Sequence, residues 1–268
     1  MLTYIASIIT MNNIIILRIL QQINTWALLP GLAYLIYLSN IGYYLCLLVA
    51  LILVSKVGAS IGQHRYFTHR SFKMSLWKEK IVAVLAVLST TGTTLQYVTV
   101  HRYHHLNSDR GKDLHSPHEI GYWRSFWHWY KDNPTKIVPL SMIKDLLKNS
   151  FLIKLHKYYL LIILLYIAIL AIIDINLVLF CYMIPAGFSW WSSAVLSLPL
   201  HLSNQGYRNF DTNDETVNSH FWNCLTLGEG LHNNHHAKPY EYNFAFTKKP
   251  WEWDISAIII DKFLKCKT

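Results

Sequence analysis

The amino-acid sequence predicts an all-α integral membrane fold, with four transmembrane helices arranged as two hairpins and a cytosolic helical cap. Three observations predict it. Hydrophobic residues make up 53% of the chain and charged residues only 15%, a balance found in membrane proteins rather than soluble domains. Two tracts, Ile19 to Ser55 and Tyr158 to Tyr207, carry no charged residue apart from Asp174. Eight of the 14 histidines lie outside those tracts in three short boxes: His64 and His69; His101, His104 and His105; His232, His235 and His236.

Each tract is too long for one crossing, because a bilayer core takes about 20 apolar residues, and long enough for two joined by a tight turn. Residues 1 to 24 are Ile-rich but interrupted by Asn12, Asn13, Arg18 and Gln21-Gln22, which suits a helix lying in the membrane interface. The first hairpin is expected over 25–62, with Pro30-Gly31 near its start and Ser39-Asn40-Ile41-Gly42 as its turn. Residues 63–157 carry the first two boxes and the cap. Within them Ile81 to Val100 is apolar, but one crossing there would put the second box on the wrong side of the membrane. Its threonines, Thr90, Thr91, Thr93, Thr94 and Thr99, suit a helix that dips into the membrane or packs under the site. The cap proper, Leu106 to Lys157, is polar and aromatic, with Trp123, Trp127, Trp129 and Asn133-Pro134. The second hairpin is expected over 158–200, turning at Asp174-Ile175-Asn176, and 201–268 holds the third box, the aromatic pair Trp251 and Trp253 and a closing amphipathic helix from Ile255 to Leu264. No repeat or linker marks a second domain, so 1–268 reads as one. The start lacks a signal-peptide layout and is expected to stay attached.

The net charge of +9 comes from 24 Lys and Arg, none of them inside the two tracts. That distribution is the positive-inside pattern of a cytoplasmic face rather than a nucleic-acid-binding surface. The boxes are therefore expected at the cytoplasmic side of a multi-pass protein, in a bacterial inner membrane or an endoplasmic reticulum. Cys46, Cys181, Cys224 and Cys266 form no CxxC pair and read as packing residues.

The third box places its histidines at i, i+3 and i+4, within an arc of roughly 100° on one helix face. The second box repeats the spacing. The first does not: on a straight α-helix His64 and His69 would point roughly 140° apart, so the helix must end or bend between them. With no thiolate or carboxylate at matching spacing, neutral imidazoles are the donors, and eight or nine of them suit two metal ions rather than one four-coordinate zinc. Redox-active iron fits an apolar, water-excluding setting. Asp109, Asp113 and Glu229 are placed to accept hydrogen bonds from the rear nitrogens of the histidines, and Asn233 and Asn234 are further candidates.

His64-Arg65-x-x-x-His69-Arg70, His101-Arg102-x-His104-His105 and Gly228-Glu229-Gly230-x-His232-Asn233-x-His235-His236 resemble the membrane fatty acid desaturases, and most closely the stearoyl-CoA (Δ9) type. The resemblance runs in order from about residue 25 to 265. It includes Asp113-x-His115-Ser116-Pro117 and Gly206-Tyr207-Arg208-Asn209-Phe210. It implies four transmembrane helices under a cytosolic domain, one iron held by His64, His69, His101, His105 and His235, and another by His104, His201, His232 and His236. His201, alone at the end of an apolar tract, is added by this likeness. Three positions depart from the family pattern: Ser197 stands where an Asn supports the second iron through water, Tyr97 replaces a Trp, and Phe126 replaces a cap His. His115 is expected to be structural or to support a ligand. His118, His128, His156 and His220 are expected at the surface or an interface, and Arg65, Arg70 and Arg102 to pair with acidic groups.

The activity implied is oxygen-dependent desaturation of a saturated acyl chain, with two electrons and O2 removing two hydrogens in sequence to leave a cis alkene, and positioning rather than bond recognition setting its place. A CoA thioester is the expected acyl carrier. The chain has no haem, flavin or ferredoxin motif, so electrons must come from a donor such as cytochrome b5 or a ferredoxin with its reductase, and an acidic partner suits the basic face. A hydroxylase or ketolase on the same histidine scaffold is the nearest alternative. A metal transporter is disfavoured because no ionisable ligand lies mid-span.

Overall fold

The computed structural model describes residues 11–127 and 137–266, with the side chains of 11–15 excepted. Trp129, His128 and Asn133-Pro134 lie outside the described residues. Every regular element among the described residues is helical, and the only extended pairings are isolated bridges such as Tyr207 with Asn218 and Asn218 with Leu231. The chain divides into two compact units, one of residues 1–63, 80–97 and 145–191, the other of 64–79, 98–144 and 192–268.

The first unit contains the apolar helices. α1 (Met11–Trp26) leads into α2 (Leu28–Leu38), with helical hydrogen bonds running on through Ala27. α3 (Ile41–Thr68) follows, α-helical to Ala50 and then wound more widely from Leu51 to Thr68. Among the described residues, α3 and a second helix, Ile175–His201, are the two that are long and apolar enough to cross a membrane. Ser150–Lys157 and Tyr159–Ile173 would make a third crossing, bent by 68°. The remaining arm differs from the expectation of a full-length span: α2 has 11 residues, about 16 Å of helix against a hydrocarbon core of about 30 Å. The polar Gln21 and Asn24 lower the hydropathy of the helix before it, and both are buried.

Both tight turns form where short polar side chains cap a helix start. Asn40 accepts a hydrogen bond from Gly42 N (2.8 Å), and Asp174 accepts one from Asn176 N (2.9 Å); each relieves an N–H with no partner inside its helix. Asn176 also donates to the Tyr43 hydroxyl (3.2 Å) and accepts from that of Tyr34 (3.3 Å), which ties the two turns together. Leu35, Leu47, Phe180 and Ile184 pack as the apolar cluster of this unit.

The segment from Ile81 to Val100 is not one helix, as expected, but two. α4 (Leu76–Leu88) stops and α5 (Thr94–Asn107) starts after a break containing Thr90 and Gly92 at φ 58° and 106°. The hydroxyl-bearing residues cause the break, since they satisfy backbone groups that a helix would otherwise bond. Ser89 Oγ donates to Ala86 O, while Thr93 and Gln96 exchange bonds, Gln96 N to Thr93 Oγ1 (3.2 Å) and Thr93 N to Gln96 Oε1 (3.1 Å). That reciprocal pair is a capping box, readable as Thr-x-x-Gln. The freed backbone is sealed by Gln21 on Thr90 O, Gln63 on Gly92 O and the Tyr159 hydroxyl on Gly92 N. His156, expected at a surface or interface, is buried here against Thr93 Oγ1 (2.7 Å).

α4 presses on α3 through two glycines one turn apart. A Cβ on Gly58 would lie 2.5 Å from Leu85 O, and one on Gly62 2.6 Å from Val82 Cγ1. Gly58→Ala is therefore expected to lower stability by about 1–3 kcal/mol, as overpacking does. Gly111→Ala, where a Cβ meets nothing within 4 Å, is expected to leave it unchanged. Thermal unfolding of both variants in detergent checks this, and equal melting temperatures would contradict it.

Candidate metal centre

All the box histidines belong to the second unit. The first box rests on the end of α3. Its i to i+5 hydrogen bonding continues to His69 N, which donates to His64 O at 3.3 Å. Such π-type winding brings residue i+5 nearer to the face of residue i than an α-helix does, and the two rings meet with centroids 5.1 Å apart. The wide winding, as well as the helix end at Thr68, resolves the 140° separation expected of a straight α-helix. Arg102, from the second box, caps this end by donating to Phe67 O and Thr68 O (2.9 Å each) and to Met142 O (2.7 Å).

The second box lies on α5 and the third on the six-residue helix α6 (His232–Ala237), which Gly230 seats closely. A Cβ on Gly230 would stand 2.2 Å from Asn223 N. The three boxes and His201 converge into two sets. His64, His69, His101, His105 and His235 each offer a ring nitrogen, all within 4.8 Å of one another, and His104, His201, His232 and His236 do the same. The sets adjoin: His105 and His236 have ring centroids 4.4 Å apart.

Within the five-histidine set, Nε2 atoms follow one another from His64 to His235 (3.0 Å), His235 to His105 (3.0 Å) and His105 to His101 (3.1 Å). Each nitrogen carries at most one hydrogen, so no placement of protons satisfies all three contacts together. A cation between them does. Imidazole nitrogens lie about 2.1 Å from a bound metal such as zinc, so two of them at right angles are about 3.0 Å apart. In the other set, His201 Nε2 and His232 Nε2 are 3.1 Å apart, and His236 Nε2 is buried without a hydrogen-bond partner. The residues fit metal ions.

Carboxylates orient the rings from behind. His104 Nδ1 bonds Asp113, His201 Nδ1 bonds Asp109 and His236 Nδ1 bonds Asp214, each at 2.8 Å. His64 Nδ1 stands 3.6 Å from Glu229. An Nδ1–H donated to a carboxylate leaves Nε2 as the lone-pair donor. Burial works against the charge on Asp109, but the His201 bond outweighs it and holds the carboxyl down at about 2. Asp113 and Asp214, facing His104 and His236, are likewise held well below the usual carboxylate range despite burial. Burial, reinforced by neighbouring imidazoles, pushes His69, His101, His105, His232 and His235 well below the usual histidine value. It takes His236 down to about 4 against the pull of Asp214. His104 goes the other way, because Asp113 overcomes burial. Apart from that of His104, these shifts favour neutral imidazoles and ionised carboxylates, the protonation states that metal binding needs.

The other candidates have their places. Arg65, 1% exposed, bridges Glu229 (2.8 Å) and Asp254 (2.8 Å) and lies over the Phe244 ring, which stacks in turn on His235. His115 is buried with its ring 4.1 Å from that of His104. His118, exposed as expected, bonds His201 O, and the exposed His220 stacks on Tyr207. The Ser197 hydroxyl bonds back to Ser193 O (3.1 Å), four residues earlier in its helix. Asn233 and Asn234 hold loops. Asn233 accepts from Asn209 N and Phe210 N and donates to Phe210 O and Thr212 Oγ1. Asn234 accepts from Asn209 and Asn218 and donates to Phe244 O and Glu252. Asp214 is the site residue that sequence reasoning misses. It lies 22 residues before His236, in a polar loop beside Asp211 and Glu215, and no periodicity links the two.

Helices long and apolar enough to cross a membrane, together with histidine sets that could hold metal ions, are the features expected of a membrane-associated metalloprotein. Comparison with known proteins makes the class specific. The fatty acid desaturase family model matches residues 38–252, and the chain belongs to that family of oxidoreductases. Its relatives include a Delta-9 acyl-lipid desaturase 2 of Arabidopsis thaliana, 31% identical over 222 residues, 78% of this chain and 68% of that protein. An sn-1 stearoyl-lipid 9-desaturase of Anabaena variabilis is 30% identical over 75% of this chain and 72% of its own length. A hex-5-enoyl-[acyl-carrier protein] acetylenase of Moorena producens is 28% identical over 80% of this chain and 72% of its own.

Asn233 is buried, with every donor and acceptor of its amide engaged. Asn233→Asp replaces its NH2 group by an oxygen facing Phe210 O, and a loss of about 1–3 kcal/mol is expected, the cost of unsatisfied buried groups. Denaturant unfolding in micelles measures it; wild-type stability in this variant would contradict the role.

Proposed function

We propose that this chain is an oxygen-dependent desaturase that introduces a cis double bond at the Δ9 position of a saturated fatty acyl chain, with two irons held by the two histidine sets. The observation that carries the reading is the convergence of all eight box histidines and His201 into adjacent, largely buried sets in a chain of the fatty acid desaturase family. Iron bound there supplies the redox chemistry that activates O2 for hydrogen removal from an unactivated methylene. His64, His69, His101, His105 and His235 hold one iron, and His104, His201, His232 and His236 the other. Asp109, Asp113, Asp214 and Glu229 keep the rings turned inward. Burial excludes water from the nitrogens, and Phe244 walls one side of His235.

The protein is proposed to cross the membrane four times, with α1 and α2 together making the first crossing and the bent pair Ser150–Lys157 and Tyr159–Ile173 the third. The basic segments and the histidine sets then lie on the cytoplasmic side. A cytochrome b5 or ferredoxin with its reductase supplies electrons there, favoured by the net charge of +9. The Δ9 position is supported by the names of the Arabidopsis and Anabaena relatives. Names among the relatives include both acyl-lipid and acyl-CoA desaturases, so the substrate is written as the acyl chain, with the CoA thioester as the first carrier to assay.

Expression in a host lacking unsaturated fatty acids, followed by methyl-ester analysis with double-bond mapping, tests this. A Δ9 cis alkene is expected, and it is expected to fall at least ~100-fold in His104→Ala and His232→Ala, as loss of a ligand that holds the metal implies. A hydroxylated or acetylenic product without alkene would overturn the reaction assigned.

A further inference from the structure

We infer that Glu252 is a positioning residue for both histidine sets: by fixing which way the Asn234 amide faces, it holds α6, the short helix that contributes histidines to each set. The inference rests on the two-metal reading above and adds to it a residue on which both sites depend.

α6 is six residues long, and isolated helices shorter than about 12 residues are marginal in water. Its placement is therefore set by what its side chains reach. Asn234, 0% exposed, reaches a group of polar partners within the second unit. Its Oδ1 accepts from Asn209 Nδ2 (2.8 Å) and Asn218 Nδ2 (2.9 Å), and its Nδ2 donates to Phe244 O (2.9 Å) and Glu252 Oε2 (3.0 Å). Its backbone N–H donates to Asn218 Oδ1 at 3.1 Å. Glu252, also buried, accepts on Oε1 from Asn209 Nδ2 (2.6 Å) and the Tyr207 hydroxyl (2.9 Å), and on Oε2 from the Thr247 hydroxyl as well as Asn234. Lys249 donates to Asn209 Oδ1.

These bonds have one direction. Burial works against the charge on Glu252, but the bonds from Thr247, Asn209, Tyr207 and Asn234 outweigh it and hold the carboxyl below its usual range. An ionised carboxylate only accepts, so both amides turn their NH2 groups to Glu252 and their oxygens to Lys249 and Asn218. In Glu252→Gln an NH2 replaces one oxygen and faces Asn209 Nδ2 or Asn234 Nδ2, donor against donor. Neither amide can turn to answer it. Turning Asn234 sets its oxygen against Phe244 O, and turning Asn209 sets its oxygen against Asn234 Oδ1 and its NH2 against Lys249. The misfit falls on α6, and on Phe244, whose ring stacks on His235 with centroids 4.6 Å apart. Because α6 gives His235 to one set and His232 and His236 to the other, both sites are disturbed together.

The test is titration of Co(II), without oxygen, into the full chain stripped by chelator in detergent micelles. A competing chelator reports affinity, and the visible d–d bands report how the ligands are arranged. Two equivalents are expected in the wild-type protein. Glu252→Gln is expected to weaken both about 10-fold, the lower end of what a residue supporting the ligands contributes, and to shift the bands at temperatures where circular dichroism shows the variant folded. Glu252→Asp, which keeps the carboxylate but withdraws it by one methylene, is expected to do the same to a smaller extent, and it carries the test should the first variant not fold. Because Glu252 acts through Asn234, its substitution is expected to add nothing in an Asn234→Ala background. Tyr207→Phe, which removes a donor but leaves both amides facing as they do, is expected to bind as the wild type does. Wild-type affinity and bands in both Glu252 variants, effects that add fully to those of Asn234→Ala, or an equal loss in Tyr207→Phe would overturn the inference alone. Fewer than two equivalents in the wild-type protein would overturn the two-metal reading, and the inference with it.

Discussion

The arrangement depends on one interaction, the hydrogen bond from a buried imidazole Nδ1 to an ionised carboxylate. Turning the lone-pair sides of several imidazoles toward one point, away from water, is unfavourable for an empty protein. The bonds of His104, His201 and His236 to Asp113, Asp109 and Asp214, 2.8 Å each, offset part of that cost and leave only one orientation open to each ring. Around them lies a second ring of constraints. Asn233 ties α6 to the loop that carries Asp214, and Arg65 ties the first box to Glu229 and Asp254.

Backbone irregularity serves the same end. A straight α-helix would not bring His64 and His69 to one point, and the wide winding of α3 does so. The break between α4 and α5 leaves backbone groups unpaired in an apolar unit, where each would cost several kcal/mol if left so. Gln21, Gln63 and Tyr159 from three other elements satisfy them. The burial of Gln21 and Gln63 in this unit is therefore explained by the break that they seal.

Features with a local signature are legible in the sequence. The spacing of His232, His235 and His236, the turns at Asn40 and Asp174, and the charge-free tracts around them need only short-range geometry. The resemblance to the desaturases joins distant boxes into two sets, and the fold brings the same residues together. Features that depend on winding and long-range contact are not legible. The π-type turn at His64 changes no residue pattern, and Asp214 reaches His236 only through the fold. The capping box Thr93-x-x-Gln96 has a signature, but the apolar run around it reads as one helix. His156 stands in a polar stretch of the sequence and is nonetheless buried against Thr93.

The central claim is that two irons sit in an all-imidazole setting built by these nine histidines. Iron K-edge X-ray absorption on the reconstituted protein measures it most directly. The account predicts a nitrogen and oxygen shell without sulfur, with outer scattering from four to five imidazoles per iron and two irons per chain. A sulfur ligand, or fewer than three imidazoles per iron, would contradict it.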